Sequence, residues 1–295
     1  MAQATTQRYG VVTGANKGIG FATCKQLASN GINVVLTARD EKRGLEAVQQ
    51  LNHLALPGHV VFHQLDITDS SSIKSLADFI QNQYGKLDIL VNNAGIPGAN
   101  WDAEALGDAA LGKDFSWSKI ETESYELTEA GVKTNYYGTK ELTKALIPLL
   151  QISNSPTIVN VSSSIGMLQY LPNGWPKEVL SDVENLTEEK IDEVLSKFLK
   201  GSKEGSLEAK DWPLSMPIAY CVSKAAVNAY TRILAKKYPS FCINALCPGY
   251  VKTDINHNTG FLTTDEGAEA VVRLALLPHG SPSGLFFHRN EEKSF

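Results

Sequence analysis

Short runs rich in β-branched and apolar residues alternate with longer segments of helical spacing along nearly the whole chain, and few folds accept that alternation. The runs are Tyr9 to Thr13, Asn33 to Thr37, His59 to Leu65, Asp88 to Val91, Thr157 to Ser162, Cys242 to Leu246 and Gly284 to His288. Most are continuously apolar, as strands buried on both faces must be. Helical spacing lies between them, near 18–30, 41–54, 70–84, 127–151, 219–238 and 264–277. The pattern predicts an α/β fold: a Rossmann-type, doubly wound parallel sheet of about seven strands with helices on both faces. All 295 residues fit one domain, 1–295, without internal repeat or linker.

Two segments interrupt the alternation. From 97 to 125 the chain is rich in Gly, Ala and acidic residues, and predicts a long loop whose Trp101, Phe115 and Trp117 either line an apolar pocket or anchor the loop. From 169 to 217 an insert contains one helix, with Thr187 as N-cap and Glu188 and Glu189 in its first turn. Ile191, Val194, Leu195, Phe198 and Leu199 form a stripe that must be buried, and Lys200 and Gly201 suit its end.

Composition excludes several classes of function. A net charge of -5 offers no basic face for nucleic acid or an anionic membrane, and no apolar run approaches a membrane span. The start, MAQATTQR, has no signal core, so the expected location is cytoplasmic. Cys24, Cys221, Cys242 and Cys247 follow no disulfide or CxxC spacing and are read as structural thiols. His53, His59 and His63 bring no carboxylate or thiolate cluster, so no metal is expected.

Directly after the first run comes Thr13-Gly14-Ala15-Asn16-Lys17-Gly18-Ile19-Gly20, a turn that opens a helix. Its glycines let backbone N–H groups approach a pyrophosphate at the positive end of the helix dipole. Some 20 residues further on, an acidic residue selects NAD and a basic one favours the 2′-phosphate of NADP. Arg39 occupies that place and Lys17 adds a charge within the turn, while Asp40 reads as the N-cap of the next helix. The expected cofactor is NADPH/NADP+.

Tyr220 and Lys224 lie four residues apart on a predicted helix, one turn apart on one face, so the ammonium can approach the phenol and lower its pKa. Asn160-Val-Ser-Ser-Ser-Ile-Gly166 ends the fifth strand at the carboxyl edge, where such sheets bind ligands and a hydroxyl can bond a substrate carbonyl.

Together these residues resemble the short-chain dehydrogenase/reductase family over nearly the whole chain. The resemblance makes Gly14, Asn16, Lys17, Gly18, Ile19 and Gly20 the cofactor turn, and Asp66 with Ile67 the adenine contact. It gives Asn93, Ala94 and Gly95 to the motif that steadies the sheet beside the cofactor, and Pro248, Gly249, Val251 and Thr253 to the nicotinamide loop. It further implies a catalytic set of Asn135, Ser163, Tyr220 and Lys224, in which Asn135 holds a water linking the lysine to solvent. Tyr220 and Lys224 also contact the cofactor. Ser163 and Tyr220 stand 57 residues apart, far more than the family's usual spacing. That insert resembles the monomeric carbonyl reductase branch and its plant members, which act on ketones of secondary metabolism. A monomer acting on a small, largely apolar ketone is therefore implied. Two alternatives remain open at this point: a C=C (enone) reductase of the same fold, and a non-catalytic NADPH-sensing protein.

Overall fold

The computed structural model describes residues 7–111, 121–122, 124–207, 212 and 217–295. Its first half runs β1 (Tyr9–Val12), α1 (Gly18–Ser29), β2 (Asn33–Ala38), α2 (Glu41–Asn52), β3 (Val60–Gln64), α3 (Ser70–Tyr84) and β4 (Ile89–Asn92). A two-stranded ladder, β5 (Asn100–Trp101) with β6 (Glu121–Thr122), follows and includes α4 (Ala103–Ala110). The predicted loop therefore carries regular structure, while Phe115 and Trp117 lie outside the described residues.

Then come α5 (Tyr125–Val132), a π-helical segment (Lys133–Gly138) and α6 (Thr139–Leu150), forming one continuous rod, and β7 (Thr157–Val161). The insert supplies α7 (Trp175–Ser181), which sequence spacing did not reveal, and α8 (Glu188–Lys203). The chain ends with α9 (Ile218–Lys237), β8 (Cys242–Cys247), α10 (Thr264–Ala275), β9 (Phe286–His288) and β10 (Glu291–Lys293).

The main sheet has the order β10-β9-β8-β7-β4-β1-β2-β3. Seven strands are parallel and only β10 is antiparallel, an edge addition to the seven expected. Strand order reverses between β1 and β4, and ligands of open α/β sheets bind beyond the carboxyl ends at such a point. Local chemistry starts the helices. Asp40 accepts from the Arg43 N–H at 2.9 Å, Asp69 caps α3, and Thr187 caps α8 as expected. Gly201, however, lies within α8, which ends only at Lys203.

The insert is part of the core. Ile191, Val194, Leu195 and Phe198 are all buried, and Phe198 meets Trp212 with ring centres 5.1 Å apart. Beneath α8, the buried Lys140 ammonium of α6 lies 2.7 Å from Asp192 and 3.6 Å from Glu188, and 5.5 Å from the centre of the Tyr136 ring. Removing one partner of a buried ion pair strands the other, although the partial exposure of Asp192 softens that penalty. Lys140→Ala should lower unfolding free energy by about 1–3 kcal/mol in urea denaturation. A loss within experimental error would show that these charges do not hold the insert down.

Candidate active site

At the switch point the ends of β1 and β4 are laced together. The hydroxyl oxygen of Thr13 accepts from the N–H groups of Asn93 and Ala94, both at 2.9 Å. In return Asn93 Nδ2 donates to the carbonyls of Thr13 at 2.8 Å and Gly14 at 3.2 Å. This lacing fixes the glycine turn: a Cβ on Gly20 would lie 2.5 Å from Asn93 Nδ2, and Gly14 has φ +60° with Ala94 Cα 3.0 Å from the place of a Cβ.

Helix α1 starts at Gly18 with an extended Lys17 as N-cap, no side-chain cap and no acidic residue in its first turn. By contrast α2, α3, α5, α8 and α10 all carry Asp, Ser or Thr caps. The first N–H groups of α1 are thus left to an anion, and the residues present fit a dinucleotide pyrophosphate. Asn16 and Ile19 flank this opening and are both half-buried.

Around the turn stand the remaining residues proposed for the cofactor. Arg39 lies exposed just beyond the end of β2. The Lys17 ammonium pairs with Asp254 at 2.5 Å and holds that carboxyl below its usual range. Asp66 accepts from the N–H and hydroxyl of Thr68 at 2.9 and 2.7 Å, and the buried Ile67 presses on Gly138, where a Cβ would come within 2.7 Å of its carbonyl oxygen. Beyond β8, Pro248 and Gly249 (φ +90°) lead to Val251, bridged to Leu262, and to Thr253, which starts a short turn. A Cβ on Gly18 would sit 3.5 Å from the Thr253 methyl, so this loop lies over the glycine turn.

The proposed catalytic set gathers where α9 crosses the end of β7. Lys224 Nζ donates to the Val161 carbonyl at 2.9 Å and stands 5.5 Å from the Tyr220 ring centre. Asn135, in the π-helical segment, receives the Ile96 N–H at 2.9 Å and donates to the Ile96 carbonyl at 2.9 Å and to Ser223 Oγ at 3.0 Å. Gly95 lies between them: a Cβ there would be 3.2 Å from Asn135 Oδ1 and 3.3 Å from Lys224 Nζ.

The three serines divide by partner. Ser162 Oγ donates to the Lys224 carbonyl at 3.3 Å, and Ser164 Oγ shares a 2.6 Å hydrogen bond with His288 Nδ1. Among the described residues the Ser163 hydroxyl makes only a long bond at 3.4 Å, from the Ile165 N–H two residues on, so it can serve another oxygen.

Burial reverses one expectation about this site. The Tyr220 phenol is pushed well above its ordinary value by desolvation, with the nearby Cys247 adding to the rise. Desolvation also lowers the Lys224 ammonium to about 8, against a smaller opposing effect of Cys247. The Lys224 ammonium lies at the Val161 carbonyl, and for each group the loss of water is the largest influence. Above the tyrosine, Trp101 places its ring edge-on, centres 5.9 Å apart, and its carbonyl accepts from His257 Nε2 at 2.9 Å. Trp101 therefore belongs to the site's cover. Sequence spacing missed Cys247, His288 and Ser164, whose only signal was their place at strand carboxyl ends.

The model of the short chain dehydrogenase family matches residues 9–174 and 206–261. This chain belongs to that family. The match lapses from 175 to 205, over α7 and α8 of the insert. The chain is 58% identical to (+)-neomenthol dehydrogenase of Arabidopsis thaliana over 293 residues, covering 98% of this chain and 99% of the relative. Among solved structures it resembles salutaridine reductase from Papaver somniferum with TM-score 0.89 and 51% identity, covering 95% of this chain and 99% of that one. Menthone neomenthol reductase from Mentha piperita aligns with TM-score 0.86 and 49% identity, over 97% and 100% of the two chains.

Proposed function

We propose that this protein is an NADPH-dependent carbonyl reductase, acting on a small, largely apolar ketone of terpenoid or alkaloid type. One observation carries the reading most directly: the half-buried Tyr220 and the buried Lys224 stand 5.5 Å apart, ammonium to ring centre, at the sheet's carboxyl edge, beside a glycine turn whose helix start has no side-chain cap. The names of the relatives, reductases and dehydrogenases of terpenoid and alkaloid compounds, support the substrate class.

The glycine turn, Arg39, Asp66 and the 248–253 loop would hold NADPH, whose nicotinamide would supply the hydride. Ser163 and Tyr220 bond the substrate oxygen through their hydroxyls and orient its carbonyl. As that oxygen gains negative charge, Tyr220 releases its proton to it, and the high pKa of the phenol keeps that proton in place until an alkoxide-like acceptor forms. Lys224 steadies the resulting phenolate. Asn135 fixes the Gly95–Ile96 loop against Lys224, which makes it a positioning residue for this step.

Tyr220→Phe should bind NADPH as tightly as the unaltered protein, by fluorescence titration, but reduce ketones about 10²–10⁴-fold more slowly. A rate within threefold would remove Tyr220 from the chemistry. Because Lys224 is charged only below about 8, turnover at saturating substrate should fall as pH rises through that value. A flat profile from pH 7 to 9 would refute the ammonium's role.

Cofactor choice follows from charge at the edge of β2. Arg39 can clamp the 2′-phosphate with two parallel N–H bonds, each contributing on the order of 1.5–3 kcal/mol before solvent screening. Lys17, paired with Asp254, would add its charge from the glycine turn. Arg39→Asp should therefore cut the NADPH/NADH ratio of kcat/KM by about a hundredfold or more while leaving kcat with NADPH within a few-fold. An unchanged ratio would sink the assignment.

Assembly is the last element of the proposal. Since α8 packs on the rod of α5 and α6 and on α9, the protein should sediment as a monomer of 32.1 kDa at micromolar concentration. A stable dimer would show that the insert leaves another face free to associate.

A further inference from the structure

Two Asn-Gly pairs stand in this chain, Asn30-Gly31 and Asn173-Gly174, and the fold treats them in opposite ways. Asparagine is thermolabile, and before glycine it is most open to change, because no Cβ shields the next backbone nitrogen from the amide carbon. Asn30 caps the end of α1, where its Nδ2 donates to the Gln26 carbonyl at 2.8 Å and the Gly31 N–H donates to the Ala28 carbonyl at 3.0 Å. Amide and nucleophile are both tied down there. Asn173 and Gly174 lie exposed on the turn that enters α7, and nothing stands within 4 Å of the place of a Cβ on Gly174. Among the described residues neither Asn173 Nδ2 nor the Gly174 N–H has a hydrogen-bond partner. The side chain is instead met by a cation, since Lys177 Nζ donates to Asn173 Oδ1 at 3.2 Å.

We propose that Asn173-Gly174 is a site of spontaneous modification, where the amide is lost through a cyclic succinimide and the chain acquires an isoaspartyl or aspartyl residue. The Gly174 nitrogen gives its proton to hydroxide and forms a bond to Asn173 Cγ. The C=O pair moves onto Oδ1, where the Lys177 ammonium meets the developing charge. That pair then returns, and Nδ2 takes up a proton and leaves as ammonia. Water opens the ring at either carbonyl: at the backbone carbonyl it leaves an isoaspartyl link through Cγ, and at Cγ it leaves aspartate. Nothing is oxidised or reduced, and water is the only co-reactant.

Both products place a negative charge beside Lys177, and the isoaspartyl form also lengthens the backbone by an atom. Leu171 and Leu180, on either side of the turn, are buried in the cluster that holds Ile191 and Phe198. A longer backbone between those two anchors must displace α7 or one of the leucines, and a close-packed interior does not absorb such a shift without loss. The isoaspartyl form therefore loosens the seat of the insert, and the turn limits how long the insert keeps its native packing.

The test ages the full-length protein in warm, mildly alkaline buffer and follows both pairs by peptide mass spectrometry. A protein-isoaspartate methyltransferase with labelled S-adenosylmethionine counts the isoaspartyl carboxyls. In the folded protein Asn173 should deamidate at least about tenfold faster than Asn30, and in urea, where the contacts of Asn30 are gone, the two rates should fall within about threefold of each other. Lys177→Gln should slow the loss at Asn173 about two- to fivefold, the modest effect of a solvent-screened charge. The aged protein, separated by ion exchange from what has not reacted, should melt below the Asn173→Asp variant, which carries the charge without the longer backbone. Any one of four results would overturn the proposal: Asn30 reacting first, a preference for Asn173 that persists in urea, a Lys177→Gln variant that is not slowed, or aged and Asn173→Asp proteins that melt together.

Discussion

A single hydrogen bond, from Lys224 Nζ to the carbonyl of Val161, ties the chemistry of this molecule to its fold. A buried ammonium must find oxygen acceptors, and this one takes a backbone carbonyl at the last residue of a central strand. The bond is possible only because α9 runs close over the end of β7, and Gly166 permits that approach: a Cβ there would be 2.7 Å from the carbonyl carbon of Lys224. Ser162 fastens the same turn of helix from the strand side. With Lys224 held in this way, Tyr220 is placed one helical turn away, over the substrate edge of the sheet. The sheet thus holds one side of the site, and Trp101 and the 254–262 loop lie on the other.

Burial governs the electrostatics of this arrangement more than pairing does. Reading Tyr220 and Lys224 as neighbours on a helix suggests a cation that acidifies a phenol, because spacing reports proximity but not the loss of water. In the folded protein Lys224 is buried and Tyr220 half-buried, and the loss of water raises the phenol and lowers the ammonium. For a reduction that ends in proton delivery this is a useful resting state. A phenol that ionised early would have nothing to give when the substrate oxygen becomes basic.

What could be read from the sequence was whatever repeats locally. Continuous apolar runs marked the seven parallel strands, Asp40 and Thr187 marked helix starts, and the stripe from Ile191 to Phe198 announced a buried helix. The resemblance to a family then assigned roles to Asn135 and Ser163 that spacing alone could not. Features that join distant segments stayed hidden: Ser164 with His288, 124 positions apart, and Trp101 with His257, 156 apart. A lysine such as Lys140 reads as solvated surface until α8 folds over it. Lys17 shows the same limit, since its charge was legible but its pairing with Asp254 depends on how a loop 237 positions away returns to the glycine turn.

That pairing also bears on how the cofactor groove is organised. Lys17 and Asp254 join the first turn of the Rossmann half to the loop after β8, and both are largely exposed, so the ion pair itself is worth little. Its effect is geometric. With Thr253 lying over Gly18 and Asp254 drawn to Lys17, the 253–256 turn is held across the mouth of the anion site. An anion that attracts Lys17 more strongly than one screened carboxylate does would release Asp254, and with it the turn that continues to His257 and the Trp101 carbonyl. Lys17 is thus linked through Asp254 and a short run of backbone to His257 and the carbonyl of Trp101, whose ring lies against Tyr220.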